Sequence, residues 1–326
     1  MGGCPKIVSD EELVKCFRNG MTPMQICQAT GTSYGTTQKL RWDKLAKKAG
    51  IVINRRPAAD KDAIEKINEY MAGEGRKHFS LTNGVMLIGS DPHYWPGLIS
   101  TAHKAFVKFC ADMRPTCVIM NGDGIDGGSI SRHPRIGWDK RPRVEDELEA
   151  SDARLGEIEA AARTKNLYWP LGNHDARFET FLAARVPEYE GVKGFKLKDH
   201  FPSWVPCWSV HVNDDVVVKH RSKGGINAAR NNTLNAGKTI ITGHLHSMKV
   251  TPLSDYNGTR YGVDTGTLAA PYGPQFSDYT EDGVCDWRAG FIVLTFWKGT
   301  LLWPEICHVM DENVGLCQFR GTTFKV

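Results

Sequence analysis

Apolar and polar positions along the chain fall into two rhythms. Over the first fifty residues the apolar positions recur in short bursts at helical spacing. Ser9 followed by Asp10, Glu11 and Glu12 reads as an N-cap with acids in the first turn, and Leu13, Cys16 and Phe17 supply an apolar stripe. Asn19-Gly20 ends that helix. Thr22 caps a second, from Pro23 to Ala29, which Thr30-Gly31 stops. Ser33 caps a third, from Tyr34 to Ala49, expected to turn Leu40 and Leu45 inward and Lys39, Arg41, Lys44, Lys47 and Lys48 outward. Asn54 to Asp60, broken by Pro57, reads as a linker, and residues 61–73 as a connecting helix.

From Gly84 the rhythm changes. Short apolar runs at 85–88, 117–120 and 167–169 alternate with helical stretches at 101–109 and 143–164. Strand candidates then follow one another at 208–213, 215–219, 239–242, 261–264 and 291–296. This order predicts an α/β half joined to a more antiparallel half. The expected division is a basic helical module at 1–53, a linker and connecting helix at 54–81, and a large domain at 82–326.

Composition narrows the class. Hydrophobic residues make up 41% and charged residues 24% of the 326, enough apolar material for a sizeable core, which excludes wholesale disorder. No apolar run approaches the ~18 residues that would span a bilayer. The opening residues carry no apolar stretch of the signal-peptide kind, so the expectation is a cytoplasmic protein. Nine cysteines form no CxxC pair and are odd in number, which fits reduced thiols better than a disulfide or zinc-ribbon scaffold.

Charge is unevenly placed. Residues 1–60 hold ten Lys/Arg against five acids, whereas the remainder is close to neutral, so the net +4 belongs to the front of the chain. Such asymmetry suits a phosphate-bearing partner, nucleic acid above all; the alternative is a solvated helix face. Three short helices with a Gly turn before a basic third helix resemble the helix-turn-helix family over residues 9–50. That resemblance implies DNA contact through Lys39, Arg41, Lys44, Lys47 and Lys48, while a helical bundle for protein contact shares the outline.

Candidate chemistry gathers where the apolar runs end. Ser90-Asp91-Pro92-His93 follows the first run, and Asn121-Gly122-Asp123-Gly124-Ile125-Asp126 the second. Gly172-Asn173-His174-Asp175 follows the third, Lys219-His220 ends the run 216–218, and Gly243-His244-Leu245-His246 ends 239–242. Loops at the carboxyl ends of strands converge in open α/β sheets, so five such clusters predict one site. Asp, Asn and His without thiolate suit manganese, iron, zinc or nickel at a hydrolytic centre. In Asp-x-His and His-x-His, alternate residues on an extended backbone point the same way and can reach one centre. Glycines beside Asp123, Asn173 and His244 permit tight turns and close approach.

These five blocks, D-x-H, G-D, G-N-H-D, H and G-H-x-H in that order, resemble the calcineurin-like metallophosphoesterases over roughly residues 82–300. The resemblance implies an α+β fold, a four-layer α/β-type sandwich of two mixed β-sheets flanked by helices, behind a small all-α module. It implies two divalent metal ions, with Mn2+ favoured over Fe, Zn or Ni. Asp91, His93 and His246 would hold the first, Asp123 would bridge, and Asn173, His220 and His244 would hold the second. His174 matches the family's non-ligand histidine that contacts phosphate and protonates the leaving alkoxide, with Asp175 orienting its ring. The family commonly has Gly after its isolated metal histidine, whereas Arg221 follows His220 here, so His211 is the fallback ligand.

The ester must be read from the surroundings. Ser129 to Arg135, with Arg132, His133 and Arg135, and then Lys140 to Arg143, form a basic loop suited to clamping a phosphodiester; a solvated connector is the alternative. Trp95, Trp138, Tyr272 and Phe276 fall in loops, where they either stack on bases or pack. A nucleic-acid phosphodiesterase, nuclease or end-processing, is the favoured expectation, in the setting of a bacterial or phage protein. A small-molecule or phosphoprotein phosphatase with a regulatory front module is the second, and a non-catalytic DNA-binding protein on a phosphatase fold the third.

Overall fold

The computed structural model describes residues 8–32, 36–53, 75–133, 138, 141–280 and 283–326. The chain divides into two compact units, residues 1–71 and 72–326. Ser33, the linker at 54–60, the connecting helix at 61–73, Arg135 and Lys140 lie outside the described residues.

In the first unit three helices form where capping residues and apolar stripes require them: α1 (Asp10–Arg18), α2 (Pro23–Thr30) and α3 (Thr36–Lys48). Ser9 and Thr22 close reciprocal capping boxes with Glu12 and Gln25, satisfying N–H groups that open each helix. Leu13, Phe17, Ile26, Trp42 and Ala46 pack into a small core. The expected inward face of α3 holds at Leu45, which packs against this core, and is corrected at Leu40. Leu40 is 66% exposed, and Trp42 takes the core position instead, its ring edge-on to Phe17. Trp42 and Ala46, four residues apart, share one face of the helix, and Leu40 falls on the other side. Lys39, Lys44, Lys47 and Lys48 are exposed as expected. Arg41 is not free: it donates to the Val8 carbonyl at 2.8 Å and pairs with Asp10.

The second unit holds two mixed sheets. The larger runs in the order β15 (Thr322–Lys325), β14 (Leu316–Phe319), β13 (Glu305–Asp311), β11, β2, β3, β4 and β5, with β12 (Thr300–Leu301) paired to β11. Its centre is β2 (Gly84–Gly89), β3 (Cys117–Met120), β4 (Leu167–Pro170) and β5 (Val205–Cys207), all parallel, with β11 (Gly290–Trp297) antiparallel to β2. The smaller runs β1-β6-β7-β8-β10-β9. In it β7 (Val216–Val218), β8 (Thr239–Thr242) and β10 (Gly258–Thr265) are parallel neighbours, and β9 (Met248–Asp255) forms a hairpin with β10. Both halves are therefore mixed, not one parallel and one antiparallel. Strand β1 (Arg76–Phe79) pairs in parallel with β6 (Ser209–Val212), so part of the expected linker 54–81 belongs to the sheet.

The central runs are continuously apolar because both faces are covered. Met86, Ile88, Cys117 and Ile119 face inward against Val210, Val218, Ile241 and Val263 of the smaller sheet. Leu87, Val118 and Trp169 face outward against Phe106 and Phe109 of α4 (Thr101–Met113) and Leu155 and Ile158 of α5 (Val144–Ala162). On the far side, α8 (Ala228–Ala236) lies on β8 to β10, where a side chain at Gly262 would overlap the Ala229 carbonyl. Helix α6 (Asp175–Arg185) and the single-turn α7 (Leu197–His200) follow β4. Helices, large sheet, small sheet and helix make the expected four layers. No helix among the described residues is long and apolar enough to cross a membrane.

Candidate metal centre

Five loops leave the carboxyl ends of β2, β3, β4, β7 and β8 and meet between the sheets, as predicted. Each of Asp91, His93 and His246 offers a donor atom within 4.8 Å of the others, and Asp123, His220 and His244 do the same. Asp123 Oδ2 stands 3.1 Å from His220 Nε2 and 3.9 Å from His93 Nε2, which places this carboxylate between the two groups. A third trio, His93, Asp123 and His174, meets at the same spacing. His220, not His211, enters the cluster; His211 sits on β6 beside His78.

The backbone reaches this arrangement differently from the extended path expected. Asp91 (φ 53°), His93 (φ 40°), Asp123 (φ 52°), His244 (φ 72°) and His246 (φ 55°) all lie in the left-handed region. Each such turn costs a non-glycine residue about 1–3 kcal/mol, and they concentrate where side chains must be aimed at one point. The neighbouring glycines act as expected. A side chain at Gly172 would overlap the Asp123 carboxylate, one at Gly243 would overlap Ser90 and Asp91, and one at Gly122 (φ 85°) would overlap the His220 ring.

Second contacts fix the rings. His220 Nδ1 donates to the Asn121 carbonyl at 2.7 Å, and His93 Nδ1 stands 3.1 Å from Asp126 Oδ1, so each ring turns Nε2 toward the cluster. His93 Nε2, His246 Nδ1 and Asn173 Oδ1 are buried and have no hydrogen-bond partner, while His220 Nε2 faces the Asp123 carboxylate. Buried polar atoms are almost always paired, and an orphan costs about 1–3 kcal/mol. Donor atoms of four histidines gathered with two buried carboxylates are the set a divalent cation requires, so the residues present fit a divalent metal pair.

The electrostatics agree. Burial alone would raise the Asp91 and Asp123 pKa values, but the imidazoles of His220 and His246 around Asp91, and of His220 and His174 around Asp123, bring both below the ordinary range. Burial would lower His220; Asp123 and Asp91 outweigh it and push the ring up to about 10. Burial lowers His93. His174 moves up despite burial, because Asp123 and Asp126 face it.

Asp175 was expected to orient His174, and that expectation is corrected. Its carboxylate accepts the backbone N–H of Asp123, Gly124 and Gly172, each at 2.8 Å, and Trp169 Nε1 at 3.0 Å. It ties the β3 and β4 loops together; burial and the Asp123 charge push its pKa up to about 6. The carboxylate beside His174 Nδ1 is Asp126, 3.1 Å away, whose carbonyl also lies 2.7 Å from that nitrogen. Arg177, one turn into α6, donates to the Asp126 carbonyl at 2.8 Å and brings Nη2 to 3.2 Å from His174 Nε2. Sequence reasoning assigned no role to Asp126 or Arg177, although both stand within three residues of assigned positions. Of the basic loop, Arg132 and His133 are exposed. Trp138 and Tyr272 are exposed and Trp95 half-buried, whereas Phe276 is buried against His93, His246 and Trp287 and is no stacking platform.

No protein-family profile matches the chain, and no curated sequence matches it. Among solved structures it is similar to Vps29 of Entamoeba histolytica, crystallised with zinc, at 13% identity over 74% of this chain and 96% of that one, with a TM-score of 0.39. It is similar to a dimetal phosphatase of Danio rerio at 10% identity over 69% and 94%, with a TM-score of 0.34. A conserved Streptococcus pneumoniae protein described as a phosphoesterase gives 11% identity over 76% and 99%, with a TM-score of 0.32. These are loose likenesses of shape. Layer order and five strand-end loops make a four-layer sandwich of two mixed sheets with a buried His/Asp cluster of metal-ligating type at the strand ends.

Proposed function

We propose that the chain hydrolyses phosphate esters at a two-metal centre. Asp91, His93 and His246 would hold one divalent cation, Asn173, His220 and His244 the other, with Asp123 between them. A bound pair supplies charge neutralisation for the phosphate and a water made acidic enough to attack. The observation that carries this reading is the gathering of His93, His246, His220 and His244 donor atoms with the buried carboxylates of Asp91 and Asp123.

The chain's own residues handle the rest. Water adds to phosphorus and releases a proton to solvent, the P–O bond to the leaving alcohol breaks, and the departing alkoxide takes a proton from His174, which solvent then restores. Asp126, against Nδ1, holds that ring and favours its charged form. Arg177, whose Nη2 lies 3.2 Å from His174 Nε2, would offer a cationic donor to a phosphate oxygen beside that ring.

For the ester itself we favour a nucleic-acid phosphodiester. Exposed Arg132 and His133 beyond the β3 loop, and exposed Lys39, Lys44, Lys47 and Lys48 on α3, support it. A manganese-supplemented assay tests both levels, comparing bis-p-nitrophenyl phosphate, the mono-ester, and single- and double-stranded DNA. Turnover of the small esters that vanishes with chelator supports the centre; no turnover with any divalent metal refutes it. DNA cleavage that weakens with salt supports the nucleic-acid reading, and DNA left intact while small esters turn over refutes that finer reading alone.

A further inference from the structure

Charge in the second unit is close to balanced as a whole but not along its length. Between Asp215 and Asp255 the chain has no Asp or Glu and six Lys/Arg. At the chain's average, a stretch of that length would hold about four acids, so the imbalance is local and large.

The fold lays most of this charge on one surface. Val210, Val212, Val216 and Val218 point into the core between the sheets, so alternation turns His211 and Lys219 to the outer face of the smaller sheet. Strand β1 adds Arg76 and His78, in register with Ser209 and His211, and the two imidazoles stand 5.3 Å apart. Helix α8 lies on β8 to β10, and beside it these four side chains stay partly or fully exposed. Strand β6 runs antiparallel to β7 with Val210 opposite Val218, so Arg76 and Lys219 lie at the strand end where His220 enters the cluster. Arg221 and Lys223 follow on an exposed loop, and Arg230 is exposed on the first turn of α8. The buried Asn232 side chain fixes that loop, accepting the Lys223 N–H at 3.0 Å and donating to the Lys223 carbonyl at 3.1 Å. Among the described residues no carboxylate forms an ion pair with Arg76, Lys219, Arg221, Lys223 or Arg230. Burial, then the charges of Arg76, His78 and Lys238, push His211 down to about 4 against the pull of Asp214, as a surface of positive potential does.

Resting on the nucleic-acid reading above, we propose that the outer face of β1, β6 and β7, with the 221–223 loop and Arg230, is a docking track for single-stranded nucleic acid. Backbone phosphates supply the row of anions that spaced Lys and Arg side chains match. Trp208 stands at the head of β6, 44% exposed, its N–H donating to the Gly75 carbonyl just before β1. Its ring gives a base a face to stack on, which an acidic peptide would leave unused. Burial of the cluster sets the strandedness. Asp91, Asp123 and His220 are each at most 1% exposed, so a phosphate that reaches them arrives on a single strand and not within a duplex.

The test is binding of a short labelled single strand to the full chain, read by fluorescence anisotropy in chelator so that no cleavage intervenes. Arg221→Gln, Lys223→Gln and Arg230→Gln together should flatten the slope of log affinity against log salt by about two, at about 0.7 per phosphate contact on a single strand. The α3 lysines stay intact in that variant, so the change belongs to the track. Trp208→Ala should weaken binding by about fivefold or more at an unchanged slope. In the unmutated protein the strand should raise the His211 pKa, read by proton NMR and assigned with His211→Gln, because phosphates offset the charges around it. No binding by the parent at low salt, an unchanged slope in the triple variant, or an unmoved His211 overturns the track. Displacement of the strand by polyglutamate at equal charge assigns an acidic protein partner and overturns it as well, as does tighter binding of duplex than of single strand. The triple variant should turn over bis-p-nitrophenyl phosphate with manganese as the parent does, which separates docking from chemistry. If no ester turns over with any divalent metal, the catalytic reading fails, and the salt slope and the His211 titration still decide the track.

Discussion

The carboxylate of Asp126 lies 3.1 Å from Nδ1 of His174 and holds the imidazole whose other nitrogen faces the cluster. If His174 delivers the proton to the leaving oxygen, its loss must be felt in proportion to how badly that oxygen needs one. We predict that His174→Ala lowers kcat by about 10²–10⁴-fold on alkyl phosphate esters and far less on p-nitrophenyl esters, whose phenolate leaves unprotonated. Asp126→Asn should show the same leaving-group pattern with a smaller loss, about 10–100-fold. Metal content by elemental analysis should stay near that of the parent protein for His174→Ala. Equal losses on both esters would assign the residue to structure instead.

Asp175 has a separate job, joining two loops. Asparagine at this position keeps the shape, but one amide oxygen cannot accept from Asp123, Gly124, Gly172 and Trp169 together. Asp175→Asn should therefore cost about 2–4 kcal/mol in urea unfolding and reduce metal affinity, because Asp123 loses its backbone anchor. A variant as stable as the parent that holds its full metal content would refute this.

The two loops show how far the sequence could be read. Runs such as Val85 to Ile88 and Cys117 to Met120 are apolar throughout because both sheet faces are covered, so the strands and the loops after them were plain, and with them seven clustered candidate residues. The left-handed turns at Asp91, His93, His244 and His246 were not, since nothing in an Asp or a His announces positive φ. Asp126 was invisible for a related reason: its role depends on a 3-D approach to rings from two other loops. Strand β9 was missed because Pro252 and its half-exposed residues carry no alternating pattern, and its hairpin partner supplies the order. On α3, a tryptophan amid five basic residues decided the inward face, where leucine spacing had suggested Leu40.

Close approach makes Gly172 a sensitive probe of the centre. A methyl group here would overlap the Asp123 carboxylate and backbone, and neither is the far end of a flexible chain. Gly172→Ala should displace Asp123 and lower metal content to near that of Asp123→Ala, with loss of activity that excess manganese only partly restores. A metal-replete, active alanine variant would remove Asp123 from the bridging position.

Glu147 sets a pH dependence of stability. It is buried on α5, accepts the Gly127 N–H at 2.5 Å, and burial pushes its pKa up to about 7 from an ordinary 4.5. Because the folded value is the higher one, its contribution is fully present below about pH 4.5 and is lost as pH rises through 7. At about 1.4 kcal/mol per unit the loss is on the order of 3 kcal/mol. In chelator-treated protein, Glu147→Gln should gain stability relative to the parent between pH 5 and pH 8, read from urea midpoints. A difference that stays flat across that range would show that Glu147 does not titrate there.

The basic front helix carries the last prediction, for the DNA-binding proposal. Lys39, Lys44, Lys47 and Lys48 are exposed, whereas Arg41 is spent on Asp10 and the Val8 carbonyl. Each phosphate neutralised releases counterions, so the slope of log affinity against log salt is about −0.9 per contact on duplex DNA. Replacing Lys44, Lys47 and Lys48 together by Gln should flatten that slope by about two to three and weaken binding at low salt by more than tenfold. Arg41→Gln should act on folding instead, lowering the melting temperature, because it removes the tie between α3 and the start of α1. Binding of duplex DNA with an unchanged salt slope in the triple variant would mean that α3 is a solvated face, and the positive charge at the front of the chain would then need another partner.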